Sequence, residues 1–483
     1  MTVTMNYDAI IIGAGLGGLT AGAKLAKEGK KVLLIEQHEI PGGCATTFRR
    51  HGYTMEVGLH EMDGLHSGDI KTKIFNDLGI FDRVKFLRVP EFYRFYNTRY
   101  DIVVPHDPAE ASEILKKTFP GDAEGIDTYF EHVLNARKIM VASKGVKDRS
   151  IGEFLDEIID DENLKLILLG NLGYFHDDPY TLSYYYYINA QGSYYRGGAN
   201  FVKGGSQKLS DAFVDVIISN GGDLRLRHEV TEIIYEDDRP VGVRYRSTRG
   251  SDDIYSDRAA EIVVSSSLPM LAEKILPGDK GRELQQAIGG LEPGASLLTV
   301  YYGFKKALKS LGNKNYSTFI FDESVKKQSD ILENNHSDFD SRSFTFVDYS
   351  QLDSGLAPAG KSVGAACCID YTGDWEALSS EDYKARKAGV ADMITTRLDK
   401  LIPGFRDAID HVEVATALTV KKYTLNKNGA VYGFAQKPGK SNAYLSVLPP
   451  NMHIASAWGK FGGGFSGAIY SGYMTAMEIL RKK

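Results

Sequence analysis

A chain of 483 residues with 57 basic and 63 acidic side chains, a net charge of -6, 43% hydrophobic and 25% charged content is globular in composition. It also lacks the cationic excess that nucleic-acid phosphates demand, so no nucleic-acid partner is expected. Its length suggests two or three domains, and its three cysteines, Cys44 and the adjacent Cys367-Cys368, form no metal spacing and no disulfide framework. No metal is expected, and a reducing, cytoplasmic setting fits.

The chain opens with Asn6-Tyr7-Asp8 running straight into the apolar strand Ala9-Ile10-Ile11-Ile12, so no signal peptide is expected. Behind that strand stands Gly13-Ala14-Gly15-Leu16-Gly17-Gly18, which has the spacing of a dinucleotide clamp. Gly13 permits the tight turn, Gly15 lets backbone approach a pyrophosphate, and Gly18 lets helix and strand pack closely. A helix over Leu19 to Lys27 follows, then a turn and a second strand, Val32 to Ile35, ending on Glu36 and Gln37. The Glu36 carboxylate is placed to accept from ribose hydroxyls, and it would repel a 2′-phosphate.

A second glycine loop, Pro41-Gly42-Gly43-Cys44 with Thr46 and Thr47, comes next, and Gly58-Leu59-His60-Glu61 adds another close-approach glycine beside two polar groups. An NAD enzyme has no need of that second loop, whereas FAD needs chain packed around its ribityl tail and ring. Gly42-Gly43-Cys44, Thr47-Phe48 and Gly58-Leu59-His60 resemble the N-terminal signature of the carotenoid desaturases, carotenoid isomerases and especially the retinol saturases. That resemblance covers most of the chain. It implies a Rossmann-type α/β FAD-binding domain, glutathione-reductase-like, with an inserted mixed-sheet substrate domain and a helical cap.

The FAD domain is expected to be discontinuous, over 1–95, 200–290 and 425–483. Residues 108–200 form the helical cap, with Ile151 to Leu169 rich in Leu and Ile and a tyrosine cluster at Tyr180, Tyr184 to Tyr187, Tyr194 and Tyr195. Those tyrosines either line a tunnel for a long apolar ligand or simply pack. Gly204-Gly205-Ser206 opens an amphipathic helix carrying Leu209, Phe213, Val216 and Ile217. Strands follow at Leu224 to Leu226 and Val230 to Tyr235, where the resemblance sets the backbone of Val230 against adenine. A hairpin from Val241–Tyr245 to Glu261–Ser266 completes that portion. Residues 291–424, with part of 90–107, make the substrate domain, with strands Ser296 to Phe304 and Ser362 to Ile369 and a helix from Ser380 to Leu401.

Near the C-terminus Gly462-Gly463-Gly464-Phe465-Ser466-Gly467 repeats the glycine spacing, but only 16 residues follow Gly467, too few for another nucleotide unit of about 30 residues. The resemblance reads it as the closing segment, in which Ala457, Gly463, Gly464, Phe465 and Ser466 reach the flavin and the last helix begins. Ala457 carries no acid for the ribityl chain, a departure from related flavoproteins, and Cys44 stands where amine-oxidase relatives commonly have Arg.

The resemblance implies an FAD-dependent oxidoreductase that desaturates, saturates or isomerises C=C bonds of a long apolar polyene or isoprenoid, by hydride exchange at the flavin. His60 and Glu61 are the proton-donor candidates, His60 alternatively only contacting the flavin. The alternatives are an amine oxidase-like enzyme acting on a small amine, and a lipid-binding escort protein of the same fold without flavin. The electron donor or acceptor is unnamed. A water-insoluble substrate implies contact at a membrane surface, for which Leu166-Leu169 is either the docking patch or simply core.

Overall fold

The computed structural model describes residues 6–482 apart from 144, 146, 251 and 252. Its first layer is a mostly parallel sheet. Asn6–Ile12 pairs in parallel with Val32–Ile35 on one side and Ile254–Val264 on the other, and Asp223–Arg225 extends the sheet beyond Val32–Ile35. Strands buried on both faces must be apolar throughout, which is why Ile10, Ile11, Leu33 and Leu34 run consecutively without solvent exposure. Ile254–Val264 pairs antiparallel with Arg239–Ser247, and that strand with His228–Glu236, while Met452–Ile454 lies parallel beside Ile262–Val264. Segments from the beginning, middle and end of the chain therefore build one doubly wound α/β layer.

Small residues let helices close on it. The helix Leu16–Lys27 is buried along nearly its whole length, and a Cβ on Gly472 of the last helix, Gly464–Arg481, would stand 2.1 Å from the carbonyl oxygen of Gly17. The first helix starts at Leu16 rather than Leu19, so the clamp's last two glycines are already helical.

The second sheet runs in the order Ile409–Ala415, Ser296–Phe304, Ser362–Asp370, Phe344–Asp348, Ser317–Ile320, Tyr93–Tyr96, Asp101–Val104. Its pairings are antiparallel except that of Ser317–Ile320 with Tyr93–Tyr96. The period-two alternation of strands divides its faces. Leu298, Val300, Tyr302, Phe304 and Phe346 pack with Val390, Ile394 and Leu398 of the helix Ser380–Leu401. The other face, carrying Leu297, Thr299, Tyr301, Cys367 and Ile369, looks into a large cavity.

Among the described residues from Pro108 to Gly197 lie six α-helices and two short 3-10 helices. The apolar run from Ile151 to Leu169 divides into Ile151–Ile158, opened by a reciprocal Ser150–Glu153 capping box, and Glu162–Leu168. A three-stranded sheet of Met62–Asp63, Ala199–Val202 and Phe86–Arg88 ties this block to the N-terminal portion. Leu166, Ile167, Leu168 and Leu169 are all buried, so the run is core and not a docking patch. An unbroken apolar run has no polar face to put outward. Among the described residues no helix is long and apolar enough to cross a membrane.

Candidate functional site

The glycine loop turns out of its strand at Gly13, whose φ of +95° is the left-handed region that glycine favours. Gly17 and Gly18 serve packing: a Cβ would stand 2.0 Å from the carbonyl oxygen of Ala455 at the first and 2.3 Å from that of Gly13 at the second. Gly15 differs, because a Cβ there would meet nothing nearer than the Ser265 hydroxyl at 3.6 Å. Its open side faces the cavity. Glu36 is buried and holds this loop, accepting from the backbone N–H of Ala14 at 2.7 Å and of His38 at 2.9 Å.

The second loop docks on the first. Gly42 donates its N–H to the Ala14 carbonyl at 2.8 Å, and a Cβ on Gly43 would find only the Gly15 Cα at 3.5 Å. Burial pushes the Cys44 thiol up to about 11, so it stays protonated, and the Cys44 carbonyl oxygen would stand 2.9 Å from a Cβ on Gly58. Glu56 accepts from the N–H groups of Gly58 and Leu59 and from Ser206, which fixes the segment that carries His60 and Glu61.

These segments converge on one cavity of about 2360 Å³. Gly13, Gly15, Gly17, Glu36, Gln37, Gly42, Gly43, Cys44, Thr46, Gly58, His60, Glu61, Val230, Ala457, Gly463, Gly464, Phe465 and Ser466 all line it. Ala14, Gly18 and Leu59 do not: they lie behind the wall, where their N–H groups bond Glu36, Ser265 and Glu56 respectively. Of the four consecutive tyrosines, Tyr185 and Tyr186 line the cavity while Tyr184 and Tyr187 are core.

Does this cavity fit a dinucleotide flavin? Two helix N-termini open onto it, at Gly15 and Gly463, and neither has a side-chain cap or an acid in its first turn. Uncapped N-termini with the positive end of the helix dipole suit the pyrophosphate and an electron-rich ring edge. The open sides of Gly15 and Gly43 leave room there. The residues present fit FAD, and the volume exceeds the roughly 300–1,000 Å³ of a usual ligand site by enough to hold a second large molecule.

Beyond the glycine loops the wall becomes apolar and aromatic, with Phe48, Tyr174, Leu297, Phe319, Phe321 and Ile369. Glu61 stands in this wall, 8% exposed, with neither carboxyl oxygen hydrogen-bonded. Burial, and secondarily the nearby Glu91 charge, hold its carboxyl protonated far above the ordinary carboxylate range. His60 moves the other way. Its Nδ1 lies 3.1 Å from the Tyr174 hydroxyl, and burial drops its pKa to about 4, so the ring is neutral at neutral pH. His60 is therefore a neutral imidazole, and Glu61 is the protonated carboxyl of this wall.

Three features had no sequence signal. Lys71 is buried in an ion pair with Asp63 at 3.0 Å and Asp69 at 3.3 Å, and the Ser466 hydroxyl at the start of the last helix donates to Asp63. Tyr432 backs the closing loop, its carbonyl oxygen 2.4 Å from where a Gly463 Cβ would stand. Ser265, at the end of a sheet strand, accepts from Gly18 at 2.8 Å.

The family of flavin containing amine oxidoreductases matches residues 16–480. The zebrafish (Danio rerio) all-trans-retinol 13,14-reductase is 24% identical over 89% of this chain and 78% of its own length. The chloroplastic prolycopene isomerase of Daucus carota is 26% identical over 89% of this chain and 72% of its own. Among solved structures, an oxidoreductase from Methanosarcina mazei superposes with a TM-score of 0.66 at 17% identity, covering 99% of this chain and 100% of that one.

Proposed function

Because this chain belongs to the flavin-containing amine oxidoreductase family, we propose that it is an FAD-dependent oxidoreductase that adds, removes or shifts hydrogen at C=C bonds of a long apolar polyene. The retinol reductase and prolycopene isomerase among its relatives support that substrate class. The observation that carries it is the cavity: a volume of about 2360 Å³ whose wall beyond the glycine loops is apolar and aromatic and holds a protonated carboxyl at Glu61. A small amine would leave most of that space unfilled.

Bound FAD supplies hydride exchange with carbon, and the protein's part is to position the alkene and handle the matching proton. Glu61 delivers that proton to carbon when hydrogen is added and takes one up in the reverse sense. A shift of the double bond needs one proton given and another taken. The delocalised charge of a polyene makes a neutral carboxylic acid adequate for this. Phe319, Phe321 and Ile369 keep water from the reacting carbons. His60, neutral and joined to Tyr174, fixes the segment that presents Glu61.

The reading is tested by titrating the oxidised, flavin-loaded protein with a carotenoid or retinoid and, separately, with small alkyl mono- and diamines. Polyenes are expected to perturb the flavin absorption bands saturably and the amines to leave them unchanged. Saturable perturbation by amines alone would assign the cavity to the amine chemistry instead.

A further inference from the structure

The helix Ala417–Thr424 follows the edge strand Ile409–Ala415 of the second sheet. Its root is fixed: Thr416 and Ala417 are fully buried, the Ala417 N–H donates to Asp370 at 2.7 Å, and the Thr416 hydroxyl lies 2.8 Å from that of Tyr383. Beyond its end Asn426 is pinned, accepting from the indole N–H of Trp458 at 3.1 Å and donating to the Ala430 carbonyl at 2.7 Å. The last turn between these anchors stands in solvent. Lys421, Lys422 and Tyr423 are exposed, Tyr423 to 57%, and Leu425 takes a φ of +56°, a left-handed conformation rare for leucine.

This same turn belongs to the cavity wall through Tyr423, Thr424 and Leu425, as does the nucleotide end of the first sheet through Glu36, Gln37 and His38. His38 bridges the two. Its Nε2–H donates to the Tyr423 carbonyl oxygen at 2.5 Å, and the two rings are tilted with centroids 5.7 Å apart. His38 is itself seated on Glu36, which accepts from its backbone N–H at 2.9 Å. The bridge thus begins on the carboxylate that the glycine clamp offers to ribose.

We infer that His38 and Tyr423 form a latch over the adenosine end of the FAD site, and that its release lets the turn 421–425 swing out for the cofactor to enter or leave. A hydrogen bond and a ring contact at the edge of solvent are weak enough to break and re-form on the time scale of loop motion. The hinge is built in, because Leu425 and Asn428, each at φ +56°, hold left-handed backbone on either side of Asn426, strain that an opened turn relieves. The contact joins two protein groups, so it slows entry and exit alike. A side chain that merely touches the cofactor slows exit only. The inference rests on the reading of this cavity as an FAD site.

Stopped-flow mixing tests it. Release is followed as free-FAD fluorescence after dilution of the loaded full chain, and uptake as the quenching of that fluorescence when the deflavinated chain meets FAD. His38→Ala is expected to speed both rates roughly three- to tenfold, the worth of one hydrogen bond, with the dissociation constant shifted less than either rate. His38→Gln, whose side-chain amide donates to the same carbonyl, should recover much of the wild-type behaviour. Tyr423→Ala keeps the carbonyl and loses the ring, and its rates should fall between. Trypsin should cut both alanine variants after Lys421 or Lys422 faster than wild type, with or without FAD, while an unchanged melting temperature shows that they are folded. Faster release with unchanged uptake would make His38 an ordinary cofactor contact and overturn the latch. A wild-type chain that takes up no FAD defeats the flavin reading and the latch with it. FAD that is held by the wild type and exchanged at the same rate by every variant defeats the latch alone.

Discussion

Replacing Glu61 with Gln is expected to slow turnover of a polyene by about 10² to 10⁴, the usual contribution of a positioned proton donor, while leaving the folded protein at least as stable. The second half separates a catalytic from a structural role. In the wild type the Glu61 pKa is raised by burial, so the folded chain holds a proton that the unfolded chain releases above the ordinary carboxyl pKa of about 4.3. Stability contributed by this site therefore falls as pH rises from that value towards the raised pKa. Glutamine has no such proton to hold. The melting temperature of Glu61→Gln should match the wild type at pH 4 and rise relative to it as pH is increased, read by thermal melts across that range. The same sign governs activity: the proton-donating direction should decline as pH climbs through the raised pKa. A variant that melts lower at every pH and loses activity only in proportion would make Glu61 a structural residue.

Gly15→Val should abolish FAD binding without unfolding the chain. At Gly15 the backbone has φ -69° and ψ 167°, a region open to any residue, and a Cβ meets no protein atom closer than 3.6 Å. The added side chain therefore fits the protein and occupies the space the pyrophosphate needs. Gly17→Val supplies the contrast, since its Cβ would stand 2.0 Å from a backbone carbonyl oxygen and must disrupt the fold. Purified Gly15→Val should be colourless with a cooperative melt, and Gly17→Val should melt low or fail to accumulate. Wild-type flavin content in Gly15→Val would remove the loop from the cofactor site.

The contrast between these two glycines shows what the sequence disclosed. The clamp was legible because strand, tight turn and helix entry demand glycine locally, at fixed spacing. The strands Ser296–Phe304 and Ser362–Asp370 and the helix Ser380–Leu401 were legible from their apolar patterns. Two neighbouring residues, His60 and Glu61, marked the right wall but not which of them carries the proton. That depends on burial beside Tyr174, Tyr194 and Tyr316, which come from distant parts of the chain, and secondarily on the charge of Glu91. Charge state is a property of burial, and burial here is tertiary. The same limit explains Leu166-Leu169, where an apolar run has one appearance for core and for docking patch.

The most direct measurement is anaerobic mixing of the chemically reduced, FAD-loaded protein with a retinoid or carotenoid, following flavin and polyene absorption together. Return of oxidised flavin with loss of one conjugated double bond, or isomerisation of the polyene without flavin reoxidation, is the predicted result. Flavin that stays reduced beside an unchanged polyene, together with reduction of the oxidised flavin by small amines, would contradict it.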